Sequence, residues 1–119
     1  MPTEHHLIVD RTARYYTRGL DDGTAEEIWI VLHGQGQLAA PFLELFSAID
    51  DGTRCLVAAE GLSRFYPSPT STSVGACWMT REDRLNEIRD YVDYIDKLVD
   101  HLIDTTVADD PRVVILGFS

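Results

Sequence analysis

The end of the chain constrains its fold more than any other stretch. Residues 113–116 are apolar and mostly β-branched, and Gly117, Phe118 and Ser119 follow them directly. A short apolar run of this kind is typical of a strand that is buried on both faces. Gly-x-Ser after such a strand indicates a sharp turn that presents the serine hydroxyl, and glycine permits the turn because it has no Cβ. The plainer alternative is that Ser119 caps a following helix.

Three other stretches predict the remaining strands of a sheet. Residues 28–32 and 55–59 are apolar throughout, which predicts strands buried on both faces, as in a parallel sheet. Residues 7–17 nearly alternate between apolar and polar side chains, which predicts an edge strand with one face in water. The predicted sheet is therefore mostly parallel.

Two helices are predicted between these strands. Apolar residues recur at three- and four-residue spacing over residues 41–49 and again over residues 81–105. Thr80 and Asp83 have the spacing of a capping box at the start of the longer helix. Residues 60–80 are predicted as a long functional or mobile loop. Strands that alternate with helices in this way predict an α/β fold in a single domain.

Composition excludes several classes of partner. The chain has 119 residues and a formal net charge of −10, whereas nucleic-acid binding needs clustered lysine and arginine. No apolar run approaches the roughly 18 residues that a membrane-spanning helix needs, and no signal peptide is visible. Cys55 and Cys77 lack metal-type spacing and are predicted to be small buried hydrophobes in a reducing compartment. We therefore expect a cytoplasmic protein.

Candidate chemistry gathers where the predicted strands end. Ligands of open parallel sheets bind beyond the carboxyl ends of the strands. His33–Gly36 follows one strand, the stretch over residues 60–80 follows the next, and Ser119 follows the last. Acyl transfer needs a nucleophile together with N–H donors that face the developing oxyanion. The Gln35 N–H is the natural candidate for one donor, and the residue after Ser119 would supply the other.

Three segments together resemble a known family. His33–Gln37, Gly75–Met79 and Leu116–Ser119 resemble the carboxylesterase/phospholipase branch of the α/β-hydrolases, which includes acyl-protein thioesterase-like predicted esterases. The resemblance covers nearly the whole chain. It implies a three-layer, α/β-hydrolase-like fold, with a mostly parallel sheet and helices on both faces. It also implies that a Ser-His-Asp triad hydrolyses a carboxylic ester or thioester without a cofactor or a metal.

The resemblance assigns roles to particular residues. Ser119 is implied as the nucleophile that carries the acyl group, and the loop of Gly34, Gln35 and Gly36 as the stabiliser of the oxyanion. His33 stands immediately before this loop and is predicted to organise it rather than to act as the base.

The order of the triad predicts more chain than is present. In this family the acid and then the histidine follow the serine, and no residue follows Ser119 in the sequence. We therefore expect residues 1–119 to be the N-terminal portion of one α/β-hydrolase domain, inactive when expressed alone. A second interpretation is that the sequence is interrupted at a covalently modified serine.

Aromatic and sulfur side chains are candidates for a substrate pocket. Trp78, Met79 and Phe65 could line an acyl pocket, since ligand sites are mainly apolar, and packing in the core or in a loop is an equal alternative. The resemblance places Trp78 in a loop near the active site. The expected partner is a small ester or thioester, with no nucleic acid and no membrane span, and a homodimer is left open.

A glycine motif supports a rival function. Gly34, Gly36 and Ala39 match Gly-x-Gly-x-x-Gly/Ala between a strand and a helix, and Glu60 lies at about the offset of a ribose-binding acid. These residues predict a Rossmann-like dinucleotide-binding domain, but they leave the Gly-x-Ser turn unexplained. A non-catalytic α/β module, in which Ser119 is only a cap, is the third hypothesis.

Overall fold

A four-stranded mixed sheet forms the centre of the protein. The computed structural model describes residues 1–118. The strands are β1 (Tyr15–Gly19), β2 (Glu27–Leu32), β3 (Arg54–Ala59), β4 (Ser63–Phe65), β5 (Gly75–Cys77) and β6 (Arg112–Gly117). The main sheet has the order β1-β3-β2-β6, while β4 and β5 form a separate antiparallel pair. Strand β2 is parallel to both β3 and β6, and β1 is antiparallel to β3. The fold is α/β.

Two α-helices accompany the sheet. They are α1 (Ala39–Glu44) and α2 (Arg84–Asp104), and a 3₁₀ turn at Ser47–Ile49 follows α1. No helix among residues 1–118 is both long enough and apolar enough to cross a membrane.

The two helices contribute to two different hydrophobic clusters. One cluster joins Ile30 of β2 to Leu98 of α2, and the other joins Val31 and Leu56 to Phe42 of α1. The clusters lie on opposite faces of the sheet, because successive residues of a strand point to opposite sides. Fully burying an aliphatic side chain such as Ile30 contributes roughly 1.5–3 kcal/mol. The continuous apolar sequence of β2 is therefore explained by burial on both faces.

Several sequence predictions are confirmed. Strands β2 and β3 match the two continuous apolar runs to within a residue, and α2 lies within the predicted longer helix. Cys55 and Cys77 are both buried and free. The predicted capping box is wrong, because α2 begins at Arg84 with Asp83 as its N-cap, and the Thr80 N–H donates to the Glu87 carboxylate and not to that of Asp83. Aspartate at residue 83 is shorter than the glutamate that usually reaches back.

The predicted strand over residues 7–17 is wrong for residues 7–14. That segment has no regular structure, and its apolar side chains Leu7, Ile8 and Val9 are exposed. Tyr15 pairs with Ala59, the last residue of β3, and the pairing ends one residue further, where the Glu60 N–H donates to the Arg14 carbonyl at 3.0 Å. An alternating pattern alone could not show where the neighbouring strand ends.

Three other predicted boundaries change. The predicted helix over residues 41–49 instead begins at Ala39 and ends at Glu44. It ends there because the N–H groups of Leu45 and Phe46 donate to the carbonyls three residues back. That spacing is typical of a tightening last turn. The predicted loop over residues 60–80 contains β4 and β5.

Strand β6 is not buried on both faces as predicted. Ile115 and Leu116 are 53% and 40% exposed. Within residues 1–118, β6 lies at the edge of the sheet, with β2 as its neighbour on one side. An apolar run indicates where a strand forms, but it does not show what covers that strand.

Candidate active site

The carboxyl ends of β2 and β6 lie side by side. Leu32 pairs with Gly117 in a parallel register. The pairing extends one residue further, since the Phe118 N–H donates to the Leu32 carbonyl at 3.1 Å. His33 and Phe118 therefore leave the sheet at the same edge. Ser119 follows Phe118 in the sequence and lies outside the described residues.

The loop after β2 has one free N–H at its tip. Gly34 donates to the side-chain oxygen of Gln37 at 2.6 Å, and Gln37 donates to the Gly34 carbonyl at 3.2 Å. Gly36 donates to the carbonyl of Ala76 in β5 at 2.9 Å. Of the N–H groups of residues 34–37, only that of Gln35 has no acceptor within residues 1–118. Gln35 is also an exposed residue.

Strand β5 supports the loop at very short range. The Ala76 N–H donates to the Gln37 carbonyl at 3.0 Å, which complements the bond from Gly36 to Ala76. A Cβ added at Gly75 would lie 2.6 Å from the Gly36 carbonyl oxygen. Gly36 itself has a φ of +81°, a backbone conformation that favours glycine. Both glycines are thus required by the backbone of the loop.

The buried ring of His33 holds the start of the loop through hydrogen bonds. Its side chain is 2% exposed, and its Nε2 accepts the Gly61 N–H at 2.9 Å. In the neutral ring Nδ1 then carries the hydrogen and donates to the Gly34 carbonyl at 2.8 Å. Trp78 stacks on the imidazole, with 5.0 Å between the ring centroids, and donates its indole N–H to the His33 carbonyl. His33 has the loop-organising position that was predicted, with both ring nitrogens engaged.

Glu60 is a buried carboxylate with a structural role. It is 1% exposed, and its Oε1 accepts the Ala39 N–H at 3.1 Å. Arg14 and Arg64 both donate to its Oε2, at 2.9 Å each. Burial alone raises the pKa of Glu60, but the Ala39 N–H and the two guanidinium groups outweigh burial and hold that pKa below its ordinary value. These bonds use both carboxylate oxygens.

The role of Glu60 weakens the dinucleotide hypothesis. A ribose-binding acid must accept hydrogen bonds from ligand hydroxyls, whereas this carboxylate lies under the start of α1 and has no exposed side-chain surface. The rival hypothesis took Glu60 as a ribose contact, and its burial and hydrogen bonds argue against that role. The signal that pointed to its actual role was Arg64, four residues after Glu60, which can pair with it.

Helix α2 is joined to the same cluster through Tyr94. Burial raises the pKa of Tyr94 to about 12, so its hydroxyl stays protonated at ordinary pH. That hydroxyl donates to the Arg14 carbonyl at 3.2 Å. The Tyr94 ring also stacks near Trp78, with 6.3 Å between the centroids. Tyr94 thereby connects α2 both to Arg14, one of the partners of Glu60, and to Trp78.

A cavity of about 450 Å³ lies between the strand ends and α2. Trp78 and Met79, two of the predicted pocket residues, line it together with Tyr91 and Phe118. Its lining is mostly apolar and its volume falls in the range of small-molecule sites. The structure therefore brings Trp78 and Met79 to the same edge as the glycine loop.

Phe65 lines a different cavity. This second cavity has a volume of about 360 Å³ and is bordered by Gln35, Phe65 and Cys77. Phe65 is therefore separated from Trp78 and Met79, although it lies beside the exposed side of the loop. The sequence prediction grouped the three residues because it had no information on where β4 would place Phe65.

One group of side chains has metal-ligand geometry. Within residues 1–118, Glu4, His6 and Asp83 place their ligand atoms within 4.8 Å of one another. They line neither cavity and lie on the exposed first segment and at the start of α2. Exposed acidic groups commonly gather without an ion. Because these three residues line neither cavity, they do not contribute to the site at the strand ends.

Neither a comparison with protein-family models nor a search of the curated proteins finds a match for this chain. A functional interpretation must therefore depend on the geometry of the strand ends.

Proposed function

We propose that the protein is a serine hydrolase of the carboxylesterase/phospholipase branch of the α/β-hydrolases, which cleaves carboxylic esters or thioesters through an acyl-enzyme on Ser119. One observation carries the proposal. Because Leu32 pairs with Gly117, the glycine loop and the Gly-x-Ser turn begin at neighbouring strand ends. In such a hydrolase the nucleophile and the first oxyanion donor must come from two loops that meet in this way.

The arrangement of the sheet supports the assignment of the fold. Hydrophobic clusters on both faces of the sheet, one with α1 and one with α2, are what a three-layer fold requires. Three of the four strands in the main sheet run parallel, so their carboxyl ends meet at one edge. Chemistry at that edge is the general rule for open α/β sheets.

The free N–H of Gln35 supports a role in stabilising an oxyanion. Hydrogen bonds hold the residues on both sides of it, so the donor needs no rearrangement when charge develops on a substrate oxygen. Prearranged donors of this kind supply a large part of the rate enhancement in acyl transfer. The second donor in the proposed site is the N–H of the residue after Ser119.

The proposed reaction has two steps. The Ser119 hydroxyl attacks the carbonyl carbon while the triad histidine takes its proton, and the leaving alcohol or thiol receives that proton. Water then attacks the acyl-enzyme, with the same histidine as base, and releases the acid and the free serine. His33 is not proposed as that base, because its Nε2 accepts the Gly61 N–H. In the family order the triad acid and histidine follow the serine.

The apolar cavity is proposed to hold the acyl group. Trp78 and Met79 line it together with Gly117, the glycine of the Gly-x-Ser turn. His33, which precedes the loop of Gln35, also lines this cavity, so an acyl chain here would lie beside the start of that loop. The proposed substrate is therefore a small ester or thioester with an apolar acyl part.

Covalent labelling tests the proposal directly. The full-length protein is treated with a fluorophosphonate, and the adduct is mapped by peptide mass spectrometry. We expect the adduct on Ser119, and we expect both labelling and ester turnover to disappear in Ser119→Ala. Ser73→Ala is the matched control, because Ser73 is an exposed serine that lines neither cavity. An adduct on another serine, or undiminished turnover in Ser119→Ala, would show that the Gly-x-Ser assignment is wrong.

A further inference from the structure

We propose that Glu60 is a positioning residue that fixes the Gln35 N–H by holding the far end of the glycine loop. The inference rests on the proposed function, since the Gln35 N–H matters only if it faces an oxyanion. Glu60 itself is too deeply buried to contact substrate.

Two consecutive residues at the end of β3 hold the two ends of the loop. The Gly61 N–H donates to Nε2 of His33, the residue before the loop. The Glu60 carboxylate accepts the N–H of Ala39, the residue that follows the loop and begins α1. The backbone over residues 34–38 therefore spans two points fixed by one strand end. Gln35 lies between them, and its N–H has no acceptor within residues 1–118.

The two arginines determine which oxygen of Glu60 faces the loop. Arg14 and Arg64 both donate to Oε2, so Oε1 is left for the Ala39 N–H. Glutamine at residue 60 cannot reproduce this arrangement. If its oxygen faces Ala39, its NH₂ group faces two guanidinium groups, which only donate. If the amide is reversed, the NH₂ group faces the Ala39 N–H, and the end of the loop loses its acceptor.

The catalytic consequence is a change in kcat with little change in KM. A donor moved by a fraction of an ångström weakens binding of the transition state more than binding of the substrate. We expect Glu60→Gln to lower kcat by about 10- to 100-fold and to change KM by less than about threefold. A tetrahedral mimic, an alkyl trifluoromethyl ketone, should lose affinity in parallel with kcat, while the matching methyl ketone should not.

The experiment separates positioning from stability. In the full-length protein, the active fraction of each variant is first measured by fluorophosphonate titration, so that kcat refers to folded sites alone. Glu44→Gln is the matched control, because Glu44 is an exposed carboxylate of α1 that pairs with Arg18 and does not contact the loop. Arg64→Gln is a milder second variant, which keeps Arg14 on the carboxylate and should change kcat in the same direction by a smaller factor. It serves as the test if Glu60→Gln does not fold.

A second measurement is independent of activity. Amide hydrogen exchange over residues 34–39 should become faster in Glu60→Gln and should stay at the wild-type rate in Glu44→Gln. Wild-type exchange in Glu60→Gln, or wild-type kcat per titrated site, would overturn the positioning role while leaving the proposed hydrolase intact. A wild-type protein with neither ester turnover nor labelling at Ser119 would overturn the proposed function and the catalytic role of Glu60 with it.

Discussion

The contact between β5 and the glycine loop makes Gly75→Ala the sharpest single perturbation of the candidate site. A Cβ at residue 75 would lie 2.6 Å from the Gly36 carbonyl oxygen and 3.0 Å from two further backbone atoms of Gly36. Ordinary contacts of a Cβ begin at 3.4 Å, so the two backbone segments must separate by about 0.8 Å. No flexible side chain is available to absorb the change, because both partners are backbone.

Two magnitudes follow from that displacement. Inserting a methyl group into a packed contact of this kind typically destabilises a protein by about 1–3 kcal/mol. The Gln35 N–H lies one residue from the displaced carbonyl, and a misplacement of about 1 Å in an active site can lower the rate about 10²-fold. We therefore expect kcat on a p-nitrophenyl ester to fall by about 10- to 100-fold, alongside a lower midpoint of urea unfolding.

A second glycine separates the two effects. Gly52 has a φ of +84°, and no heavy atom lies within 4 Å of the place that an added methyl group would occupy, so Gly52→Ala introduces backbone strain without a clash. That strain is about 1–2 kcal/mol. Gly52→Ala should lower the unfolding midpoint and leave kcat at the wild-type value. If folded Gly75→Ala retained wild-type kcat, the argument that β5 sets the geometry of the loop would be refuted.

Two further predictions concern the loop and its buried carboxylate. Gln35→Ala should lower kcat only modestly, since the proposed donor is a backbone N–H. Gly36→Val should lower kcat severely, because Gly36 has a φ of +81°, which a valine cannot readily adopt. Steady-state kinetics that gave the opposite order would assign the function to the Gln35 side chain. The difference in unfolding free energy between wild type and Glu60→Gln should have its full size above pH 4.5, the ordinary pKa of the glutamate. It should shrink as the pH falls through the lowered pKa of Glu60, because protonation removes the charge that the variant lacks. Urea midpoints between pH 7 and pH 3 measure this difference, and a difference that stays constant would contradict it.

Much of the sheet could be predicted from the sequence because burial leaves a local pattern. The apolar runs of β2 and β3 are continuous, since both faces of these strands are covered. The pattern failed where the decisive information lay elsewhere in the chain. Residues 7–14 alternate like a strand, but the pairing ends at the bond from the Glu60 N–H to the Arg14 carbonyl, and β6 is apolar but lies at an edge in the described residues.

The candidate site was predictable in part for the same reason. The motifs identified the glycine loop, and the resemblance placed Trp78 near it. The structure brings Trp78 and Met79 to the end of the sheet where that loop begins. Only the pairing of Glu60 with Arg64 could be deduced from the sequence, because its other partners, Arg14 and Ala39, lie 46 and 21 residues away. A sequence motif records residue types at fixed offsets, whereas this cluster exists only after the sheet has formed.

The small sheet of β4 and β5 has a consequence for the order in which parts of the protein open. Each of its strands has three residues, and the chain between them is largely exposed, whereas β2 and β3 pair over six residues in the buried core. Segments with few buried contacts open at lower free energy than the core. Strand β4 is exposed along its whole length, and its opening would remove the partner of β5, the buried strand that holds Gly36 and Gln37, while the main sheet remained folded. A preparation that looks native by circular dichroism can then contain molecules whose glycine loop is no longer held.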